Sequence, residues 1–170
     1  MVFKFCELVD VVRAVALLCV AILMAGGCAM PSPDLGAAFS QPMRTSMEVS
    51  AAQKHFARGE FGLAEKTYRK AVERDAHNPE AWLGLAASYD QLARFDMADR
   101  SYRRARDLMG ETPILLNNRG YSYMLRGDLR RAKKLLARAQ KLNPSDQQIA
   151  RNIEELNLRL EKIGQHPVQL

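Results

Sequence analysis

Histidine and cysteine are scarce in this chain of 170 residues, with three of each. None of the histidines, at His55, His77 and His166, forms a spaced pair with another ligand-type residue. The sequence also lacks a glycine-rich phosphate loop and the G-x-S-x-G and H-E-x-x-H motifs of hydrolases. We therefore expect no catalytic residues, no cofactor and no metal site, so the protein is not expected to be an enzyme.

The N-terminal segment, residues 1–27, lacks the features of a folded domain. Its apolar run from Ala14 to Ala25 is too short to span a bilayer but suits the apolar region of a signal peptide. The run ends in Ala25-Gly26-Gly27 and is followed by Cys28. This ending resembles the lipobox of bacterial lipoproteins, with Ala25 where leucine is favoured. The alternative is an ordinary signal peptide with an incidental cysteine.

The lipobox resemblance implies that residues 1–27 are removed and that Cys28 carries acyl chains. Several chains on one residue would hold the protein to a membrane, whereas one chain binds only marginally. Lipoproteins retained at the inner membrane commonly have Asp after the cysteine, and Ala29 stands there instead. The resemblance thus implies the periplasmic face of the outer membrane. Because Cys6 and Cys19 precede Cys28, the mature chain would keep no cysteine for a disulfide or a metal cluster.

Residues 28–44 contain three prolines and no helical or strand period, so we predict a flexible tether there. From residue 45 helix formers dominate, and small residues recur every 34 positions. Two positions of this phase hold alanine in all three repeats: Ala64, Ala98 and Ala132, and Ala71, Ala105 and Ala139. Four other positions hold a small residue, a turn residue or a large apolar residue; these sets are Ala52, Ala86 and Gly120; Gly59, Ala93 and Gly127; Phe61, Phe95 and Leu129; and Tyr68, Tyr102 and Leu136.

This period, with its small and aromatic positions, resembles the tetratricopeptide (TPR) repeat, a helix-turn-helix unit. The predicted fold is all-α: a TPR solenoid of three repeats over residues 45–78, 79–112 and 113–146. A single helix pair cannot bury its own apolar face, so stacking must create the core. An amphipathic stripe over residues 147–163 predicts a capping helix, which completes a TPR domain of residues 45–163. The tail, residues 164–170, is expected to be loose.

The TPR resemblance also implies a binding groove, because the first helix of each repeat lines the concave face. Asn118 and Asn152 are one repeat period apart, at a position where peptide-binding members of the family often use asparagine. An amide can both donate to and accept from a bound backbone. The residues predicted to form the peptide groove are Asn117, Asn118, Tyr121, Met124, Leu125, Arg151 and Asn152. The alternative is that Asn117 and Asn118 merely cap or solvate a helix start.

A narrower resemblance lies in the segment Leu115 to Ser122, LLNNRGYS. It is similar to a segment of TPR lipoproteins of Tad (Flp) pilus assembly, the TadD group, except that Arg119 replaces a buried leucine. The resemblance implies a pilotin-like factor that binds the pilus secretin. The alternative is a generic adaptor for envelope biogenesis, such as a type IV pilotin or an outer-membrane assembly lipoprotein.

Basic residues cluster at positions 103–106 and 130–134, in a chain of net charge +6. Nucleic acid is one possible partner of such clusters. An exported lipoprotein rarely meets nucleic acid, so the expected partner is a protein or peptide segment, with a membrane contact through the N-terminal lipid. Solvated helix faces, anionic headgroups or an acidic partner account for the clusters. No small-molecule substrate is expected.

Overall fold

The computed structural model describes residues 35–168, with side chains described from Thr45 onward. By their backbone contacts, the described residues from Phe39 onward form one compact unit, which contains the repeats. The described part of the chain contains seven helices and no strand. In chain order they are α1 (Leu35–Ala57), α2 (Phe61–Arg74), α3 (Pro79–Gln91), α4 (Phe95–Met109), α5 (Pro113–Leu125), α6 (Leu129–Leu142) and α7 (Gln147–Lys162).

The helix starts follow from local chemistry. Pro79 and Pro113 begin α3 and α5, where the missing N–H of proline costs nothing. The side chains of Asn78 and Thr112 accept hydrogen bonds from the backbone N–H groups of Ala81 and Leu115, respectively. Asp146 caps α7 in the same way, through two backbone N–H groups. These starts agree with the repeat phase of the sequence.

The turns inside the repeats use a left-handed backbone. Gly59 and Gly127 have φ of 75° and 77°. Ala93, the equivalent residue of the middle repeat, has φ of 56° although it carries a Cβ. A non-glycine residue there is strained by roughly 1–2 kcal/mol. The sequence therefore predicts the turn positions correctly, and at one of them, Ala93, the backbone is strained.

Consecutive helices pack against each other from α2 to α7. The first helices of the middle and third repeats, α3 and α5, also touch, and α5 touches the capping helix α7. All six phase-matched alanines of the second helices are fully buried, with no exposed area. Two apolar clusters result, and α5 is shared between them, because Leu115 belongs to one and Leu116 to the other. The prediction of an all-α solenoid of helix pairs is confirmed.

Two expectations are wrong. Residues 35–44, predicted as tether, lie in α1, whose backbone is helical from Leu35 and includes Pro42. The residues around Pro42 include Ala and Met, which are good helix formers, and they extend the first helix of repeat one backward. Residues 28–34 lie outside the described residues. Among the described residues, no helix has the length and apolar character that crossing a membrane requires.

The C-terminal tail, residues 164–170, is the second part of the chain that differs from its prediction. Val168 is only 5% exposed and belongs to the C-terminal apolar cluster. Its backbone N–H donates to Asn157 Oδ1 at 2.7 Å, and Lys133 Nζ donates to the carbonyl oxygens of His166 and Pro167 at 2.8 and 2.9 Å. The tail up to residue 168 is thus docked rather than loose, because it gives the last helix pair an apolar residue to bury.

Candidate functional site: a groove along the first helices

A cavity of about 550 Å³ runs along the first helices of the repeats and onto the capping helix. Its size falls within the range of about 300–1,000 Å³ that is usual for ligand sites. The lining residues come from α1, α3, α5 and α7, with one from α4; they are Phe56, Ala87, Asp90, Gln91, Tyr102, Asn117, Asn118, Tyr121, Gln148, Arg151, Asn152 and Glu155. We call this cavity the groove.

The C-terminal half of the groove has a floor of amide side chains. Asn117 and Asn152 are almost completely buried, whereas Asn118 is partly exposed. Because residues three or four apart on a helix share a face, Tyr121 stands beside Asn117 and Asn118 on α5. Gln148, Arg151 and Asn152 similarly share one face of α7. Stacking of α7 against α5 brings the two faces together.

These amides form a single directed chain of hydrogen bonds, which we call the amide chain. Gln148 Nε2 donates to Asn152 Oδ1 at 3.2 Å, and Asn152 Nδ2 donates to Asn117 Oδ1 at 2.8 Å. Asn117 Nδ2 then donates to Asn118 Oδ1 at 3.3 Å. At the other end, the guanidinium of Arg151 donates to Gln148 Oε1 at 2.7 Å. Each amide orientation is the one that satisfies the next member.

The direction of the amide chain has an electrostatic consequence. Its first donor is the cation Arg151, and hydrogen bonds in a chain polarise one another. Its last member is Asn118, whose Nδ2 makes no hydrogen bond to any described residue. Asn118 therefore offers the groove a polarised N–H donor. A carbonyl or carboxylate oxygen of a bound molecule would satisfy that donor.

The middle of the groove is built on a buried carboxylate. Asp90 is 4% exposed and accepts hydrogen bonds from Tyr102 Oη and Ser122 Oγ, both at 2.7 Å. The guanidinium of Arg126 lies 3.7 Å from Asp90 Oδ1 and binds both carboxylate oxygens of Asp99, at 2.7 and 2.9 Å. This network joins the middle repeat to the third repeat.

The pKa shifts follow from burial and pairing. Burial raises the pKa of Asp90, although the hydrogen bonds from Ser122 and Tyr102 and the charge of Arg126 oppose the rise. Burial also raises the pKa of Tyr102 well above its usual value, with the nearby Asp90 adding to the effect. The hydrogen bonds from Arg126 lower the pKa of Asp99. The network is thus a fixed structural element that presents little uncompensated charge to the groove.

Five of the seven predicted groove residues line the groove: Asn117, Asn118, Tyr121, Arg151 and Asn152. Met124 does not, because it is 1% exposed and packs in the C-terminal apolar cluster. Leu125 is partly exposed but lies outside the lining, at the last residue of α5. Cys28, the predicted lipidation site, lies outside the described residues.

Two features of the groove were not predicted. Tyr102 is the large residue of a second helix, and the repeat pattern identifies it only as core filling, yet it also lines the groove. Ser122 and Arg126 pair with carboxylates of distant residues, Asp90 and Asp99. No short sequence motif signals such pairs, since the partners meet only when the repeats stack. Three or more His, Cys, Asp or Glu residues placed to hold a metal ion do not occur in the described part.

Comparison with known proteins identifies the repeats. Residues 79–108 and 113–146 each match a family model of the tetratricopeptide repeat. Neither of the two models describes an enzyme. Together with the seven described helices, these matches confirm that the chain folds as an all-α solenoid of tetratricopeptide repeats.

A curated relative is anaphase-promoting complex subunit 3 of Schizosaccharomyces pombe, 29% identical over 90 residues. The match covers 53% of this chain but only 14% of that protein, and a second relative, protein bimA of Emericella nidulans, is matched over 8% of its length. This chain therefore spans a small part of the curated relatives that it matches.

Solved structures show the same fold. Pseudomonas aeruginosa PilF superposes with a TM-score of 0.62 at 23% identity, over 74% of this chain and 58% of that chain. The second TPR domain of human RPAP3, in complex with the HSP70 peptide SGPTIEEVD, superposes with a TM-score of 0.58 at 20% identity, over 69% and 98%. At these identities the likeness shows the fold alone.

Proposed function

We propose that this protein is a lipid-anchored scaffold that holds a segment of another protein in the groove. Its partner would be the secretin of a Tad-type pilus, at the periplasmic face of the outer membrane. The observation that carries the proposal is the groove itself, with the polarised donor of Asn118 beside the ring of Tyr121. The tetratricopeptide fold supports a protein-interaction role in general, and the identity of the partner is the proposed step.

The groove chemistry suits a peptide better than a small metabolite. Phe56, Ala87 and Tyr121 offer apolar contacts along its length, and the amide chain offers a polar contact at one end. This mixture fits a segment with apolar anchors whose backbone or side-chain oxygen sets the register. The charged lining residues, Asp90, Arg151 and Glu155, include both signs, so the groove is not a dense basic clamp for a terminal carboxylate.

The anchor and the partner rest on sequence resemblance. Cys28 after a short apolar run supports acylation, and Ala29 supports sorting to the outer membrane. The segment Leu115–Ser122 supports the Tad pilus lipoproteins. In the structure this segment supplies three lining residues of the groove, so the resemblance falls on the surface that would bind the partner. RPAP3 bound to an HSP70 peptide supports the idea that this fold accommodates a peptide.

The experiment is a pull-down of the secretin from solubilised envelopes. The wild type is compared with the double variant Asn118→Ala/Tyr121→Ala and with Lys141→Ala, an exposed residue of α6 outside the groove. We expect recovery of the secretin with the wild type and Lys141→Ala, and a loss with the double variant. Equal recovery with all three proteins would refute the groove, and no recovery with the wild type would refute the partner.

The anchor is tested separately with Cys28→Ser. We expect this variant to leave the membrane fraction after a salt wash, while the secretin still binds the protein in detergent. Retention of Cys28→Ser in the washed membrane would show that the lipobox interpretation is wrong. Because binding and anchoring are read out independently, the failure of one leaves the other interpretable.

A second candidate function is a general adaptor for envelope biogenesis. The fold likeness to PilF, a bacterial protein, is compatible with either function. Crosslinking of the native protein in its own envelope separates the two: a secretin adduct favours the first, and an adduct with a different envelope protein favours the second. Genes for pilin, prepilin peptidase, secretory ATPase and secretin beside this one would also favour the first.

A further inference from the structure

A second cavity, of about 170 Å³, lies between α4 and α5 and is distinct from the groove in all but one of its lining residues. It is lined by Asp99, Tyr102, Arg103, Arg106, Arg119 and Tyr123. Its volume is below the range of about 300–1,000 Å³ for drug-sized ligands, so it suits a small group such as an ion. We call it the arginine pocket.

The arginine pocket contains more positive charge than its own carboxylate can neutralise. Asp99 is the one acidic residue of the lining, and Arg126 already binds both of its oxygens. Arg103 and Arg119 form no ion pair and no hydrogen bond with any described residue. Arg106 pairs with its neighbour Asp107 at 3.1 Å, which leaves most of its guanidinium donors available.

The charges of these arginines act on the same region of space. The pKa of Asp99 is lowered first by its hydrogen bonds with Arg126, and the charges of Arg103 and Arg119 lower it further. The pKa of Glu111 is lowered chiefly by Arg138, with further contributions from Arg119 and Arg106. The positive field thus extends from the pocket to the beginning of α5.

The number of guanidinium groups indicates the type of anion. A carboxylate offers two oxygens in one plane, and in this structure a single arginine, Arg126, satisfies the carboxylate of Asp99. Three guanidinium groups from two helices can satisfy an anion with more oxygens that are not coplanar. A phosphate group has this tetrahedral arrangement, and arginine is well suited to bind it.

We propose that Arg103, Arg106 and Arg119 form a binding site for a phosphate group, in a pocket that shares only Tyr102 with the lining of the groove. Among these arginines, Arg119 is the one that α5 contributes, whereas α4 contributes Arg103 and Arg106. The side chain that interrupts the resemblance to Tad pilus lipoproteins thereby acquires a role. The phosphate group belongs either to an anionic lipid headgroup or to a free phosphate ion.

The test has two arms. The first uses the full-length protein in a nonionic detergent, and the second uses the full chain with Cys28→Ser and without detergent, so that acyl chains do not bind both kinds of vesicle. In the first arm, unfolding by urea is followed while inorganic phosphate replaces chloride at constant ionic strength, which holds general screening fixed. A ligand that binds only the folded state stabilises it in a saturable manner. In the second arm, co-sedimentation is compared between vesicles of phosphatidylcholine alone and vesicles that also contain phosphatidylglycerol.

The variants are Arg119→Leu and a matched control, Arg130→Leu, which removes one exposed basic residue of α6 outside the pocket. We expect Arg119→Leu to weaken phosphate binding, or the preference for phosphatidylglycerol, by roughly tenfold or more, the loss of one charge-assisted interaction. Arg130→Leu should change either quantity by less than about twofold, as expected of a surface charge outside the site. Circular dichroism checks that both variants remain folded, and Arg103→Ala replaces Arg119→Leu if the latter does not.

The outcomes separate the sources of the phosphate group. Saturable stabilisation by inorganic phosphate that depends on Arg119 supports the site and shows that the free ion suffices. A vesicle preference that depends on Arg119, without an effect of inorganic phosphate, supports the site with a lipid headgroup as its ligand. Equal losses in Arg119→Leu and Arg130→Leu, or no phosphate effect and no vesicle preference in the wild type, would overturn the proposal.

Discussion

Gly84 lies in the middle of α3, at the position that Asn118 and Asn152 occupy in the third repeat and the capping helix. A Cβ built on Gly84 would stand 2.2 Å from Cζ and 2.3 Å from Cε1 of Tyr68. The ring cannot easily move away, because Tyr68 is only 4% exposed and packs in the N-terminal apolar cluster. We therefore predict that Gly84→Ala destabilises the protein even though alanine is the better helix former.

The expected size follows from two opposing terms. Alanine in a helix interior gains up to about 1 kcal/mol over glycine. Overpacking a well-filled core costs typically about 1–3 kcal/mol, and contacts this close belong at the upper end. The net loss in the free energy of unfolding should be about 2 kcal/mol. Chemical denaturation at neutral pH, followed by circular dichroism of the helical signal, measures it.

A double-mutant cycle identifies the cause. Tyr68→Leu removes the ring atoms that a Cβ at residue 84 would meet. In that background Gly84→Ala should become stabilising, and the coupling between the two positions should be about 2–3 kcal/mol. The matched control is Gly62→Ala in α2, where a Cβ would meet nothing within 4 Å. Gly62→Ala should be neutral or stabilising by up to about 1 kcal/mol.

The reasoning would be refuted if Gly84→Ala stabilised the protein as much as Gly62→Ala. It would also be refuted if the destabilisation persisted unchanged in the Tyr68→Leu background, because the clash would then lie elsewhere. Either result would mean that Tyr68 does not occupy the space in front of Gly84. The N-terminal half of the groove floor would then have room for a polar side chain.

Three further changes probe other parts of the fold. Ala93→Gly should raise the free energy of unfolding by about 1 kcal/mol, because glycine adopts the φ of 56° without strain; a lower urea midpoint would contradict this. Val168→Ala should lower the free energy of unfolding by about 1.5 kcal/mol, since it removes two buried methyl groups of the docked tail; no change would show that the tail contributes nothing. Because Arg126 lowers the folded-state pKa of Asp99, that pair stabilises the protein above the unfolded pKa of Asp99, near 4, and the contribution is lost as the pH falls through the folded pKa. Arg126→Met should therefore weaken the loss of stability between about pH 5 and pH 2, measured by urea titrations; an unchanged pH slope would contradict the assignment.

The repeat pattern predicted the fold well because the residue type at each of its positions is determined by local packing or local backbone conformation. A buried alanine lets two helices approach, and a glycine permits a left-handed turn. These requirements recur once in every repeat, so the corresponding residues recur at a fixed period. That period can be recognised without knowing which residues contact one another in the folded protein. The groove residues Asn117, Asn118 and Tyr121 were predictable for the same reason, since helical position alone places them on one face.

The failures have equally specific causes. Met124 lies two helical turns after Asn117 and shares its side of α5, but the packing of α6 and α7 buries that end of the face. The docking of Val168 depends on Lys133, far away in the sequence, which holds the carbonyl oxygens before it. The helix α1 begins at Leu35 and continues through Pro42, one of the prolines that indicated a tether. In each case a contact or a helix extension outweighed a local composition signal.

The sequence by itself determined that the chain builds stacked helix pairs, where the pairs of the second and third repeats begin, and which helices face the groove. These properties follow from residue size and backbone preference, which act within about one turn of helix. Only the tertiary structure decided how the polar side chains are connected. The amide chain from Arg151 to Asn118, and the surplus of arginine charge around Arg119, exist because stacking brings together side chains from different helices. Hydrogen bonds and ion pairs depend on distances of a few ångströms between such residues, and no periodicity along the chain encodes those distances.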